Sequence, residues 1–445
     1  MKDVLILYEH RNRELENASL LASELEYRGY TVSIQCIYSL KKYFTQTKLV
    51  IVPHLYNDEQ LISFGKNFWR NNHAIIDMQY EQVLRKSGRN GIHNPKGQAV
   101  FAQHTAWGQA QKDVYLSHGI PEENVHVVGH IAMDLLRREF DTCFIERSDI
   151  AKEFNLDESK KWVLFISTFA YKMKTKEELK AYEINSPGSA LIISMSVQAQ
   201  GIIIDWLMQA AKKHKDMIFI YRRHPSERED PDLLELEKQI PNFRCIDKYS
   251  MRQWIRSADS FYTWYSTSIA DAYFGNRMCY ILRPEAVPND QDVEIMCNAK
   301  TITDFDSFNA SLSNKNNSFP ISDDVMKYFY GDDRNTLGTF AFMRVADLCE
   351  EVLQNKKLQH KFDYGTSRID MHNYGSAVMI LKDYIHFLLF DICKHIKIPV
   401  PVWLQRKKGF KEIVYYLHEG YHSTKEIKEY KKRFYSIIKS LHKEG

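Results

Sequence analysis

With 445 residues, 44% of them hydrophobic and 26% charged, the chain is too long for one ordinary domain and apolar enough for two globular ones. A formal net charge of only +3 gives no bulk attraction for nucleic acid, and none is expected as a partner. Seven scattered cysteines without a C-x-x-C pair argue against a disulfide framework or a structural zinc site and fit a reducing cytoplasm.

The opening Met1-Lys2-Asp3-Val4-Leu5-Ile6-Leu7 runs straight into a strand, without the basic, apolar and small-residue succession of a signal peptide. Apolar runs predict strands over 4–8, 31–37, 49–53, 74–77, 99–103 and 125–128, with helices over 13–28, 58–69 and 108–118 between them. In the first helix Leu15, Ala18, Leu21, Ala22 and Leu25 share a face, and Gly29 stands where a helix stops. Strands alternating with helices imply a largely parallel sheet covered on both faces, a doubly wound, Rossmann-like domain over 1–140.

A polar connector covers 141–160. A second α/β series predicts strands over 162–167, 216–221, 243–246, 260–264 and 278–282, with helices over 200–214, 231–239, 250–257 and 268–274. The stretch 171–196 reads as a polar, irregular insertion. This second Rossmann-like domain spans 161–355, and its helical end, 339–354, either closes it or crosses back to the first domain. The remainder, 356–445, reads as a helical C-terminal appendage. Its apolar stretches 384–392 and 398–403 lie beside Lys394, Lys397, Arg406, Lys407 and Lys408, and it ends in a helix over 424–443. Either it packs on the body or it makes a peripheral contact with a membrane or partner, so the expected location is cytoplasmic, extending to the inner face of the plasma membrane. With no run of about 20 apolar residues, no spanning helix is expected.

Two stretches carry the densest chemistry. Arg222-Arg223-His224-Pro225 ends one predicted strand, and Ser266-Thr267-Ser268-Ile269-Ala270-Asp271 follows another and opens a helix. At strand ends facing a crevice, arginines and a histidine supply cationic donors, while hydroxyls and N–H groups at a helix start supply more; the combination suits a phosphate. Neighbouring strand residues point opposite ways, so one of the two arginines faces the crevice, and Arg223 is the one favoured. Each stretch also has a plainer reading, as a strand-ending turn with a capping histidine and as a helix N-cap. The loop after the first strand, Glu9-His10-Arg11-Asn12-Arg13-Glu14, offers Glu9 and His10 as bases for a hydroxyl, with Arg11 and Arg13 as binders of an anionic acceptor or of a carboxylate on the donor sugar; otherwise it is a charged surface loop. Glu81 occupies the matching place after the fourth strand. No G-x-G-x-x-G, no G-x-x-x-x-G-K-[S/T] and no histidine pair at metal-ligand spacing is present, and Asp332-Asp333 reads as turn residues, so no metal or dinucleotide cofactor is expected.

Taken together, Tyr8 through Glu14, Met78-Gln79-Tyr80-Glu81-Gln82, Trp107-Gly108 through Gly129 and Asp134, and Trp162 through Ser167 resemble the two-Rossmann-domain glycosyltransferases of GT-B fold, and more narrowly those of bacterial capsule and lipopolysaccharide biosynthesis. The likeness covers about residues 1–355. His224-Pro225 and Ser266-Thr267-Ser268 further resemble the His-Pro and Ser/Thr pairs of sialyl- and Kdo transferases. That resemblance implies a CMP-activated nonulosonic sugar (sialic, pseudaminic or legionaminic acid) or Kdo as donor, a surface glycan as acceptor and no metal. It places His224, Ser266 and Ser268 on the CMP phosphate and Asp271 on the ribose. The acidic motif that supplies the base in some of those enzymes is not evident. Alternatives are a polyol-phosphate transferase using a CDP-alcohol, as in teichoic-acid polymerases, a UDP-sugar 2-epimerase, and a non-catalytic scaffold of capsule assembly.

Overall fold

A computed structural model describes residues 1–37, 39–65, 74–85, 93–185, 189–224, 227–313, 318–335, 338–363 and 424–444. The apolar tail stretches 384–392 and 398–403 lie outside the described residues. The chain forms two compact units, one of residues 1–82, 91–131 and 338–445, the other of 83–90 and 132–337.

The first unit is built on a parallel six-stranded sheet, in the order β2-β1-β3-β4-β5-β6. Its strands are β1 (Lys2–Tyr8), β2 (Val32–Cys36), β3 (Thr47–Val52), β4 (Ala74–Asp77), β5 (Gln103–Ala106) and β6 (Val125–Val127). Val4 through Tyr8 are all buried, as expected of a central parallel strand with both faces covered. After β1 the chain makes a π-helical turn, Arg11–Leu15, that runs into helix Glu16–Tyr27. That helix ends at Gly29, whose φ of 96° suits a residue without a Cβ, and Tyr30 N–H returns to Leu25 O at 3.0 Å.

Every residue of Asn17 through Leu25 is buried, although the sequence shows a single apolar face. The outer face is covered from elsewhere. Helix Ala341–Gln354, which from sequence either closes the second domain or crosses back to the first, lies in the first unit, where Arg28 bonds Asp347 at 2.6 Å and Glu350 at 2.9 Å. The terminal helix Thr424–Glu444 also packs on Glu16–Tyr27, with Tyr27 stacked on His442 and Lys431 paired to Glu26 at 2.7 Å. Glu24, fully buried, accepts from Arg28 at 2.7 Å and pairs with His442 at 3.0 Å, joining both helices to the body.

The strand expected at 99–103 is displaced to Gln103–Ala106, and 97–101 is a 3-10 turn. Hydropathy misplaces it because its buried side chains are polar and satisfied. His104 reaches Asp77 at 2.9 Å and Ala99 O at 3.0 Å, and Thr105 bonds Met78 O.

The second unit repeats the architecture with the order β12-β11-β10-β7-β8-β9, again all parallel. Its strands are β7 (Lys161–Ile166), β8 (Met217–Arg222), β9 (Phe243–Cys245), β10 (Ser260–Thr263), β11 (Cys279–Leu282) and β12 (Thr301–Ile302). The last, two residues long, has no sequence signal. Phe165, Phe219, Tyr221, Tyr262 and Trp206 fill one face of its core. The insertion expected to be irregular holds helices Lys176–Asn185 and Ser189–Lys213. Ser189–Lys213 is long and apolar enough, by length and composition alone, to cross a membrane, contrary to the expectation of no such segment. Ile193, Met195, Ala199, Ile203, Trp206 and Leu207 bury one side of it in the unit's core, and interleaved Ser, Gln and Gly residues disguise the apolar run.

Candidate functional site

In an open parallel sheet, ligands gather beyond the C-terminal ends of the strands where the winding reverses. In the second unit that reversal falls between β7 and β10, and β8 flanks β7. The strands therefore deliver Ser167, Arg222-Arg223-His224 and Ser266-Thr267-Ser268 to one edge.

Arg222 is half-buried at the end of β8. Its Nη2 donates to Tyr249 O at 3.0 Å, while its Nε is buried without a hydrogen-bond partner. Burial lowers its pKa against the opposing fields of Asp271 and Asp247. Arg223 pairs instead with Asp247. His224 is exposed, yet burial of its ring and then the neighbouring Arg222 charge hold its pKa below the ordinary value. Near neutral pH it is an uncharged imidazole, a hydrogen-bond donor rather than a cation. Pro225 lies outside the described residues.

The β10 end turns on its own hydroxyls. Ser266 N–H donates to Thr263 Oγ1 at 3.1 Å and Ser268 N–H to Ser266 Oγ at 3.2 Å, before helix Ile269–Phe274 begins. Ser266, Thr267 and Ser268 are all half-buried. Burial raises the pKa of Asp271 to about 6, against the lowering fields of Arg252 and Arg222. Two guanidinium groups thus act on a single carboxyl that gives up its charge just below neutral pH. Arg252, buried in helix Met251–Ser257, was not singled out from sequence. Its one signal is an arginine two residues after the Ser250 N-cap.

A buried glutamate, also missed, shapes this edge. Glu227 accepts from Ser167 Oγ at 2.5 Å, Tyr221 OH at 2.7 Å, Gln200 Nε2 at 3.4 Å and His224 N–H at 3.2 Å. Burial raises its pKa, although the Ser167 and Tyr221 hydrogen bonds oppose the shift. It ties the segment after β8 to the end of β7. Its sequence signal is a Glu three residues after His224.

The first unit's sheet reverses at β1, which pairs with β2 on one side and β3 on the other. Here the groups are carboxylates and imidazoles. Buried Glu14 reaches back from the π-helical turn to accept Glu9 N–H at 2.7 Å and His10 N–H at 3.3 Å, fixing the backbone after β1. Glu9 Oε2 lies 3.4 Å from His54 Nδ1 and 3.8 Å from His10 Nε2. His54 follows β3 and is stacked on Tyr56, with ring centroids 5.0 Å apart. Its signal in the sequence is a His two residues beyond an apolar run, Leu49-Val-Ile-Val-Pro-His54.

Both arginines of this loop are engaged by carboxylates. Arg11 pairs with Glu426 of the terminal helix at 2.8 Å. Arg13 bridges Glu14 and Glu81, each at 2.8 Å. Burial works to raise the Glu81 pKa, but the Arg13 hydrogen bond and charge outweigh it and the net shift is downward. Gly129, with a φ of 80°, turns the chain after β6 and leaves His130 against Trp107, ring centroids 3.9 Å apart.

No family model and no curated protein matches the sequence. Among solved structures, one of UDP-N-acetylglucosamine 2-epimerase is similar at 12% identity and a TM-score of 0.51, over 82% of this chain and 100% of that one. The wall teichoic acid polymerase TagF, in a variant with CDPG, is similar at 13% identity and a TM-score of 0.51, over 81% of this chain and 90% of that one. The S. aureus MnaA–UDP structure aligns at 13% identity and a TM-score of 0.47, over 80% and 97%. At such identities the likeness shows the fold, two Rossmann-like, doubly wound domains of the GT-B class, here with a helical C-terminal addition.

Proposed function

We propose that the chain is a transferase acting on a nucleotide-activated donor, whose phosphate is held at the strand ends of the second unit and whose acceptor hydroxyl is activated at those of the first. One observation carries this reading: the buried Nε of Arg222, without a hydrogen-bond partner, lies at the strand end next to His224, on the edge that also receives the Ser266–Ser268 hydroxyls. A buried guanidinium donor left without an acceptor favours an anion as its partner. A departing phosphate gains charge as its bond breaks, and donors fixed in a partly desolvated site stabilise that charge most in the transition state. The arginines and His224 supply this without a metal, so turnover in excess EDTA is expected to match turnover without it.

In the primary form the donor is a CMP-activated nonulosonic sugar or Kdo and the acceptor a surface glycan. A second form, polyol-phosphate transfer from a CDP-alcohol, gains from the pairing of Arg11 and Arg13 with Glu426, Glu14 and Glu81. Those guanidinium groups were the ones proposed for a sugar carboxylate, and a CDP-alcohol presents none. TagF, similar in fold, is a teichoic acid polymerase studied with CDPG.

A thermal-shift screen of CMP, CDP, UDP and GDP separates the donor classes, and stabilisation by none of them would sink the reading in favour of a scaffold. CMP-N-acetylneuraminate, CDP-glycerol and UDP-N-acetylglucosamine then serve as trial substrates. His224→Ala is expected to lose about 100-fold in turnover through weakened leaving-group stabilisation; near-normal turnover removes His224 from the mechanism.

A further inference from the structure

We propose that His54 is the general base of the first unit and that Glu9 positions it, an assignment that rests on the reading of transfer to a hydroxyl. The sheet reversal at β1 opens the strand-end crevice next to β3, and Glu9 and His54 are the first ionisable residues beyond those two strands. His54 Nδ1 lies 3.4 Å from Glu9 Oε2. Its ring is held by Tyr56 stacked at 17° and by the edge of Phe64 at 5.7 Å, and only 14% of the side chain is exposed. Among the described residues, His54 Nε2 has no hydrogen-bond partner.

A carboxylate at Nδ1 selects the tautomer that leaves Nε2 with a lone pair, and stabilises the imidazolium that follows proton capture. His10 approaches the same Glu9 oxygen only to 3.8 Å and is more exposed, at 33%. Glu9 itself is pinned through its backbone N–H by Glu14. It therefore has a fixed place from which to orient the ring.

The step balances without a further reactant. His54 Nε2 takes the proton of the acceptor hydroxyl while the acceptor oxygen bonds to the donor's electrophilic centre. The bond from that centre to the nucleotide phosphate oxygen breaks, and its electron pair leaves with the phosphate. The imidazolium, paired to Glu9, then returns its proton to water.

Two measurements on the full chain test the pair. The first is acylation by diethyl pyrocarbonate, mapped by peptide mass, which reads the Nε2 lone pair without any substrate. His54 is expected to react in the parent protein and more slowly in Glu9→Ala, while His442, paired with Glu24, keeps its rate. An unreactive His54, or a rate indifferent to Glu9, overturns the assignment. The second is turnover of the trial donors. His54→Gln is expected to lose about 100-fold or more in kcat with KM unchanged, the range for a lost general base, and to keep its nucleotide-induced thermal shift. Full turnover in His54→Gln also overturns it. If the parent protein neither consumes a donor nor is stabilised by a nucleotide, the transfer reading fails on its own, and the acylation pair still decides whether Glu9 and His54 act together.

Discussion

The two strand-end edges share a backbone plan and differ in their charges. In the second unit the charges of Arg222 and Arg252 act on Asp271, whose pKa is raised to about 6, and His224 follows Arg222 at the end of β8. In the first, acids set the tone: Glu9 between two histidines, Glu14 under the backbone, and Glu81 and Glu426 claiming the arginines. On the proposed reading, one edge holds an anion and the other moves a proton. The same parallel sheet, wound with its reversal at β7/β10 or at β1/β3, presents whichever residues follow its strands, so the chemistry lies in a handful of positions and not in the fold.

The largest expected effect tests whether the edges are independent. The terminal helix lies on Glu16–Tyr27, with Phe434 and Ile438 fully buried, and its Glu426 holds Arg11. Phe434→Ala is expected to cost about 3–5 kcal/mol of stability, the usual cost of emptying a buried phenyl site, seen as a lower chemical-denaturation midpoint. Nucleotide-induced stabilisation should survive, since no part of the phosphate cluster belongs to the first unit. A folded Phe434→Ala protein that no longer responds to nucleotide would show that the second edge depends on the first.

That helix also shows what the sequence could and could not disclose. The strand and helix alternation was legible because parallel strands buried on both faces are short apolar runs, as in β1, β7 and β8. Helix 424–443 was legible from its periodicity. Its docking place was not, because Glu24, Ser19 and Ser23 make the covered face of Glu16–Tyr27 look solvated. β5 was misplaced for the same reason, its Gln103, His104 and Thr105 being buried and hydrogen-bonded. At the second edge His224 and Ser266 were legible because each closely follows a strand, Asp271 came only through the resemblance, and of the two arginines the sequence favoured Arg223, which pairs with Asp247. Arg252 was not legible, since packing alone brings its charge to this edge, and Glu227, though only three residues after His224, gave no sign that it would be buried against Ser167 and Tyr221. His54 had the right position after β3, but a single histidine carries no spacing signal.

A middle-sized effect sharpens the charge contrast. With a native pKa of about 6 against an ordinary 3.8, Asp271 holds a proton in the folded protein that the unfolded chain releases. The sign follows: its contribution favours folding below about pH 4 and is lost as pH rises through about 6. Asp271→Asn removes that loss and is expected to gain on the order of 1–2 kcal/mol at pH 7.5 relative to pH 4. Protonation also removes the Asp271 charge that acts on Arg222 and Arg252, so affinity for UDP-N-acetylglucosamine or CDP-glycerol, neither of which has a phosphate titrating near pH 6, should tighten several-fold between pH 7.5 and 5.5. His224, its pKa lowered by burial and the Arg222 charge, gains its charge at lower pH than an ordinary imidazole. If Asp271→Asn retains the full pH dependence of binding, Asp271 is not the group that governs the anion site.

The smallest expected effect concerns the outermost acid of the first edge. The Arg13–Glu81 pair is close to half exposed on both sides, at 43% and 47%, and pairs so placed contribute about 0.2–1 kcal/mol. The lowered pKa of Glu81 means that this contribution is present above about its ordinary value of 4.5 and fades as pH falls below it. Glu81→Gln should therefore shift the denaturation midpoint only slightly at pH 7, and by less as pH falls below about 4.5. Arg13 keeps Glu14, and Glu14 keeps the backbone of Glu9 and His10, so the geometry around His54 should be unchanged. Glu14→Ala, by contrast, strips the buried acceptor from two backbone N–H groups and from Arg13, and should cost far more in both stability and turnover. A Glu81→Gln variant as damaged as Glu14→Ala would mean that Glu81 touches the acceptor, and the proton-handling part of this edge would then extend from β1 and β3 to the end of β4.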